Sequence, residues 1–187
     1  MVLSKNMQKL VAGSSTIRKL FEEGIELAKE VGAENVYDFS LGNPAAPVPE
    51  EVKKSIYDIL ENRNANFVHC YMPNAGYPEV REKVAANLNK KYNSSFTKDD
   101  IIMTVGAAGG INCVLRSLLE PEDEVLCFAP FFGEYNSYVM NFGGNLKVVP
   151  ADYETFQLNV EEADKYITER TKAVIITQED HIILSAL

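Results

Sequence analysis

Residues 101–116, which read IIMTVGAAGGINCVLR, constrain the fold more than any other part of the chain. The first five are mostly apolar, as in a strand that is buried on both faces. A turn of glycines and alanines at 106–110 follows, and it leaves little side chain between the backbone and an incoming ligand. The side chains of the following residues then fall at the spacing of one helical face: Ile111, Val114, Leu115 and Leu118. The stretch therefore predicts a strand at 101–105, a small-residue turn and a helix.

The start of this predicted helix is a candidate anion site. The first N–H groups of a helix have no intrahelical partner, and the helix dipole favours a negative charge beside them. Each charge-assisted hydrogen bond to a phosphate contributes roughly 1.5–3 kcal/mol. A turn whose glycines only permit close packing is the alternative interpretation. Neither a dinucleotide motif nor a P-loop is present, since the order is GxxGG and no Lys-Ser/Thr follows.

The chain changes character near Thr97. Before it, the sequence predicts helices separated by irregular loops. After it, predicted strands at 101–105, 125–128, 146–149 and 172–176 alternate with predicted helices. Alternation of this kind is typical of an α/β layer with a mainly parallel sheet flanked by helices.

Composition excludes several classes of partner. The net charge of −9 over 187 residues argues against a nucleic acid or an anionic membrane. The three cysteines have neither CxxC nor Cys/His ligand spacing, and the two histidines are too far apart to indicate a metal site. The start of the sequence lacks the apolar core of a signal peptide, and no apolar run is long enough to span a bilayer. We therefore expect a cytoplasmic protein with free thiols and no metal.

The residues alone single out no catalytic group. Asp and Glu pairs stand where helix starts and solvated faces place them, and no serine lies in a nucleophile-elbow motif. An aromatic cluster at 130–135, PFFGEY, follows a predicted strand end, where open α/β sheets bind their ligands. Aromatic side chains there either fill the core or stack on a flat ligand.

Four short segments stand in a recognisable order and spacing: SLGNP at 40–44, YMPNAG at 71–76, VGAAGG at 105–110 and APFF at 129–132. With these segments the chain resembles the amino-terminal part of the class I/II aminotransferases, the fold type I pyridoxal-phosphate enzymes. The resemblance covers about residues 14–176. It implies an α/β fold, the incomplete large domain of such an enzyme with an amino-terminal helical arm.

The resemblance also implies roles for individual residues in binding pyridoxal 5′-phosphate. In the family, the turn after the first large-domain strand donates backbone N–H groups to the cofactor phosphate, which corresponds here to Ala107 and Ala108. Gly106 would shape that turn. Phe132 takes the position of the ring that stacks on the pyridine of the cofactor, a contact worth about 0.5–1.5 kcal/mol beyond burial. Tyr71 takes that of the tyrosine that reaches the phosphate bound by the partner subunit.

One substrate contact and a domain division follow from the same resemblance. Gly42 takes the position of the glycine that approaches the substrate carboxylate. Residues 1–45 would form an amino-terminal arm and helix, residues 46–176 part of the large cofactor-binding domain, and residues 177–187 a divergent tail. Truncation, mis-splicing and a frame shift would each give such a tail.

The chain departs from the family after its last predicted strand. Family members continue into an Asn-Pro-rich motif, and then supply a carboxylate facing the pyridine nitrogen, a Schiff-base lysine and an arginine for the substrate. No segment here matches those positions. The resemblance therefore implies an aminotransferase acting on an amino acid and a 2-oxo acid, homodimeric at full length, with this chain truncated and inactive alone. The alternatives are a non-catalytic fragment or dimerisation partner of a full-length relative, and an unrelated α/β module that binds a phosphorylated ligand at 106–110.

Overall fold

The structure is a computed structural model that describes residues 3–12, 16–39, 46–152, 154–155, 157–178 and 181–186. The chain divides into two compact units, and the boundary lies between Tyr71 and Met72. The domain boundaries expected from the sequence, after residues 45 and 176, stay a prediction.

The described residues of the first unit are helical. They form α1 Lys5–Ala12, α2 Thr16–Val31, a 3-10 helix Ala33–Asn35, α3 Glu50–Asn62 and α4 Ala65–Val68. Gly32 follows α2 with a φ of +89°, a left-handed conformation that favours glycine at the end of a helix. Pro49 is the N-cap of α3, and Glu50 and Glu51 favour its first turn through the helix dipole. The sequence does not predict α4, whose start is capped by the Asn64 side chain.

The second unit contains the sheet. Its helices are α5 Pro78–Tyr92, α6 Gly106–Leu118, α7 Glu134–Met140 and α8 Val160–Ala163, with a 3-10 helix Lys98–Asp100. Its strands are β1 Glu124–Phe128, β2 Asn145–Val149, β3 Thr171–Gln178 and β4 His181–Ala186. The strand order is β2-β1-β3-β4, and β1 runs parallel to both β2 and β3. The mainly parallel sheet flanked by helices agrees with the sequence prediction.

The sheet has a strand that the sequence does not predict. β4 pairs antiparallel with β3, from Gln178 opposite His181 to Ala173 opposite Ala186. Residues 172–176 are therefore not the last strand, and residues 177–178 and 181–186 of the divergent tail are part of the sheet. The run of Ile182 and Ile183 suits a strand because β-branched side chains fit a pleated surface.

Residues 101–105 do not form the predicted strand. Within the part of the chain that the structure describes, they belong to no sheet, and the side chains of Ile102 and Val105 are 70% and 94% exposed. The backbone N–H of Met103 donates to the carbonyl of Ala75 in a loop, at 3.0 Å, and not to a neighbouring strand. An apolar run becomes a strand only where a second strand pairs with its N–H and C=O groups.

Both faces of the sheet are covered in the second unit. On one face, α6 and α7 pack against β1 and β3 in a cluster that includes Leu115, Val125 and Tyr135. On the other face, Leu126 belongs to a second cluster with Ala163 of α8. Successive residues of β1 point to opposite faces, so an almost continuous apolar strand serves both clusters.

The buried carboxylate of Glu124 connects the amino end of β1 to the residues that precede β3. Glu124 begins β1, and its carboxylate accepts a hydrogen bond from the Thr168 hydroxyl at 2.6 Å. The Lys147 ammonium of β2 lies 3.2 Å from the other carboxylate oxygen. The Thr168 hydrogen bond, followed by Lys147, lowers the pKa of Glu124 below its ordinary 4.5.

The lowered pKa of Glu124 predicts how the free energy of unfolding depends on pH. Because the pKa of Glu124 is lower in the folded chain, its carboxylate stabilises the fold above pH 4.5. This stabilisation is lost as the pH falls through the pKa that Glu124 has in the folded chain. In urea unfolding from pH 7 to 3, wild type is expected to lose more stability than Glu124→Gln. The control is Glu82→Gln, at an exposed position of α5, which should follow the wild-type curve. Parallel curves for wild type and Glu124→Gln would contradict the prediction.

Candidate functional site

The candidate site begins at the turn where α6 starts. Gly106 is the first residue of α6 and has a φ of +67°, a left-handed conformation that favours glycine. A Cβ atom placed on Gly106 would meet nothing within 4 Å, so the space above the turn is open. Val105, Ala107 and Ala108 are all exposed. The turn therefore presents backbone to its surroundings with very little side chain.

The backbone N–H groups of Ala107 and Ala108 are available as donors. Both lie in the first turn of a helix of 13 residues, whose N-cap Val105 makes no side-chain cap hydrogen bond. Among the backbone hydrogen bonds of the described chain, neither N–H has an acceptor. The Gly106 N–H donates to the Thr104 carbonyl at 3.0 Å, and the Thr104 hydroxyl donates to the Gly106 carbonyl at 3.0 Å. The turn thus has a fixed shape, with two open donors at the positive end of a helix.

The end of α6 lies near the start of β2. Leu119 follows α6 and approaches Gly144, which immediately precedes β2, so α6 ends near the start of that strand. A helix of 13 residues is about 20 Å long, and a strand of five residues about 17 Å. α6 is therefore long enough for its start to reach the opposite edge of the sheet. Ile111, one turn into α6, shares a cluster with Tyr135 of α7.

Aromatic and hydroxyl groups stand at the same edge. Phe132 follows β1 and is 49% exposed, and its ring meets the ring of Tyr135 in a T-shaped contact with centroids 5.7 Å apart. Tyr135 is 1% exposed, and its hydroxyl lies 3.0 Å from that of Thr177 in β3. Phe132 therefore rests on a fixed neighbour while half of its surface stays open.

The predicted site residues differ in how much the structure says of them. Gly106, Ala107 and Ala108 form the exposed start of α6, Phe132 follows β1, and all four belong to the second unit. Tyr71 belongs to the first unit and is fully exposed, and its contact with a partner subunit stays a prediction. Gly42 lies outside the described residues. The cofactor and substrate contacts assigned to these residues stay predictions.

The sequence does not predict the contact between Tyr135 and Thr177. The sequence places Tyr135 in the aromatic cluster at 130–135 and Thr177 at the start of the tail, 42 residues away. The signal was present in one respect, because a buried tyrosine hydroxyl needs a hydrogen-bond partner. The identity of that partner depends on the fold.

The described residues offer little other chemistry. They contain no group of three His, Cys, Asp or Glu side chains that could hold a metal ion. No helix among them is long and apolar enough to cross a membrane. Cys127 lies in the middle of β1, where burial raises the pKa of its thiol to about 12, so this thiol stays protonated. Cys70 and Cys113 are exposed.

Proteins with similar sequences are aminotransferases. The aspartate aminotransferase of Pyrococcus abyssi is 35% identical over 164 residues, which are 87% of this chain and 40% of that protein. The aromatic-amino-acid aminotransferase 2 of Thermococcus litoralis is 35% identical over 179 residues, 94% of this chain and 43% of the other. The chain thus spans about two fifths of the length of the curated relatives it matches.

Solved structures agree with this likeness. An amino transferase from Eubacterium rectale superposes with a TM-score of 0.86 at 37% identity, covering 93% of this chain and 44% of that one. The aspartate aminotransferase of Thermus thermophilus with maleate gives a TM-score of 0.78 at 28% identity, with the same coverage. These likenesses confirm the predicted aminotransferase type of α/β fold. The sequence profile of the family described as aminotransferase class I and II matches residues 33–179, and the chain belongs to that family.

Proposed function

We propose that this chain is part of a pyridoxal-phosphate-dependent aminotransferase and that it supplies the phosphate-binding half of the cofactor site. Relatives of this family depend on pyridoxal phosphate and act on amino acids and 2-oxo acids. The observation that carries the proposal is the exposed start of α6, where the N–H groups of Ala107 and Ala108 are open donors. This arrangement suits a phosphate group.

The residues at this edge fit the cofactor in two respects. The donors at Ala107 and Ala108, with the helix dipole behind them, match the charge and the acceptors of a phosphate. The half-exposed ring of Phe132 fits the face of a pyridine ring. When bound, pyridoxal phosphate supplies the electron sink for chemistry at the α-carbon of an amino acid. The role of these residues is to hold and orient it.

The complete reaction needs groups that this sequence does not supply. None of its lysines lies in a segment that matches the Schiff-base lysine of the family, and transamination needs a base for the α-proton. We therefore assign amino-group transfer to a complete protein, with an amino acid and a 2-oxo acid as substrates. In that cytoplasmic homodimer, Tyr71 would reach the partner's phosphate and Gly42 the substrate carboxylate.

A non-catalytic role as a dimerisation partner is the second candidate. The observation that favours it is α3, which has no buried residue in the structure. Val52, Ile56 and Leu60 are 45%, 53% and 59% exposed, and they are spaced along one helical face. Sedimentation of the chain alone and with a full-length relative separates the two, because only this second role requires a stable mixed complex.

The phosphate site predicts the effect of one substitution. Ala108→Pro removes a donor N–H while proline is tolerated in the first turn of a helix. We expect the Kd of pyridoxamine 5′-phosphate to rise about tenfold, as loss of one charge-assisted hydrogen bond implies. Pyridoxamine phosphate suits a calorimetric titration because it lacks the aldehyde that reacts with lysine side chains.

The matched control is Ala108→Ser, which retains the N–H and adds only an exposed hydroxyl. This variant should bind pyridoxamine phosphate as wild type does. Equal Kd values for the proline and serine variants would mean that the start of α6 is not the phosphate site. Circular dichroism of both variants verifies that α6 is intact.

A further inference from the structure

The segment that leads into the phosphate-binding turn is held by a loop. Residues 101–105 belong to no sheet in the described chain, yet they fix where α6 begins. The N–H of Met103 donates to the carbonyl of Ala75 at 3.0 Å. Gly76 is buried with a φ of +94°, and a Cβ atom there would come within 2.5 Å of the Met103 Cγ. The loop therefore packs its backbone directly against Met103, which only glycine permits.

Arg81 of α5 binds both ends of this arrangement. Its Nε donates to the Gly76 carbonyl at 3.2 Å, and its Nη1 donates to the Lys98 carbonyl at 2.6 Å. Asp99 lies 3.9 Å from the same nitrogen, and the Arg81 side chain is 12% exposed. A guanidinium carries its donors in a rigid planar fork, so one side chain holds the loop and the 3-10 helix at a fixed separation.

A short series of contacts continues from this fork to the turn. Arg81 fixes Gly76, the neighbouring carbonyl of Ala75 holds Met103, and the next residue, Thr104, exchanges two hydrogen bonds with Gly106. We propose that Arg81 is a positioning residue that fixes the phosphate-binding turn without touching the phosphate. This inference rests on the proposed function, because it assigns a role at the same site.

The experiment compares Arg81→Gln, which removes the fork and the charge, with Arg81→Lys, which keeps the charge. Arg116→Gln removes the same charge from an exposed position of α6 and is the matched control. Two properties are measured on the whole chain. The first is the hydrogen exchange of the Met103 and Gly106 amides without ligand, against Val125 in the sheet. The second is the Kd of pyridoxamine 5′-phosphate.

We expect Arg81→Gln to accelerate exchange at Met103 and Gly106 about tenfold and to raise the Kd about tenfold, with Val125 unchanged. Arg81→Lys should fall between Arg81→Gln and wild type because one ammonium cannot replace the fork. Unchanged exchange at Met103 and Gly106 in Arg81→Gln would overturn the inference. So would wild-type values for Arg81→Lys, since these would show that only the charge matters.

Two further outcomes are also decisive. If wild type binds no pyridoxamine phosphate, the proposed function is wrong, while the exchange rates still decide whether Arg81 holds the turn. If hydrogen exchange at Val125 is also faster in Arg81→Gln, that variant has lost stability throughout the sheet, and Arg81→Lys then provides the test. Faster exchange at Met103 in Arg81→Lys, with Val125 still protected, supports the positioning role of Arg81. An equal loss of exchange protection at Met103 and Val125 overturns that role.

Discussion

The 187-residue chain is expected to form no glutamate above the cofactor background when it is mixed with pyridoxal phosphate, a panel of amino acids and 2-oxoglutarate. The start of α6 and Phe132 offer binding, but binding alone moves no proton. The family uses one lysine both to hold the cofactor and to transfer the α-proton, and no lysine here lies in a matching segment. Glutamate is measured with a coupled dehydrogenase over many hours.

The background reaction is cofactor and amino acids without protein, because free pyridoxal phosphate reacts slowly with any amine. A complete aminotransferase, such as the relative from Pyrococcus abyssi, is the positive control. Turnover clearly above the background would contradict the prediction and would mean that a lysine of this chain has been recruited. Replacing the lysines one at a time by methionine would then identify it.

Local patterns predict the elements of the second unit well. The helix expected after the small-residue turn is α6 Gly106–Leu118, and the strand expected at 125–128 is β1 Glu124–Phe128. α6 has a clear helical period and β1 is a short, almost continuous apolar run, and a proline follows each element within three residues, so these signals act locally. Such signals need no knowledge of the remaining chain.

Local sequence patterns do not predict which strands pair with one another. The apolar run at 101–105 suits a buried strand, but a strand also needs a neighbour, and the described chain provides none beside it. The opposite error occurs at β4, which is a strand that the sequence analysis does not predict. The resemblance to the family shows only which motif residues 177–187 lack. The backbone of residues 181–186 nevertheless pairs with β3.

The site shows the same division between local and distant information. The turn at Gly106 follows from a strand-like run, small residues and a helical period, which are adjacent in sequence. The fork of Arg81 reaches Lys98, 17 residues away, and the Tyr135 hydroxyl reaches Thr177 across 42. Neither contact has a sequence motif, because each depends on how the helices pack. The sequence therefore predicts the phosphate-binding character of the turn, but it does not predict the distant contacts made by Arg81 and Tyr135.

Leu115→Ala is expected to lower the free energy of unfolding by about 2–5 kcal/mol. Leu115 lies in the middle of α6 with 0% of its surface exposed, in the cluster that joins α6 to β1. Truncation removes apolar contacts and leaves a cavity that the rigid sheet fills poorly. The measurement is urea unfolding followed by circular dichroism, at a fixed pH near 7.

The neighbouring Val114 gives the matched control because it lies on the same helix but is 41% exposed. Val114→Ala should change the free energy of unfolding by no more than about 0.5 kcal/mol, as surface substitutions do. Equal losses in the two variants would contradict the packing of α6 against the sheet. This loss is a large fraction of the about 5–15 kcal/mol by which domains of this size are stable, so Leu115→Ala should also loosen the packing of α6. Pyridoxamine phosphate binding should therefore weaken in Leu115→Ala and persist in Val114→Ala, because the phosphate donors depend on a docked helix.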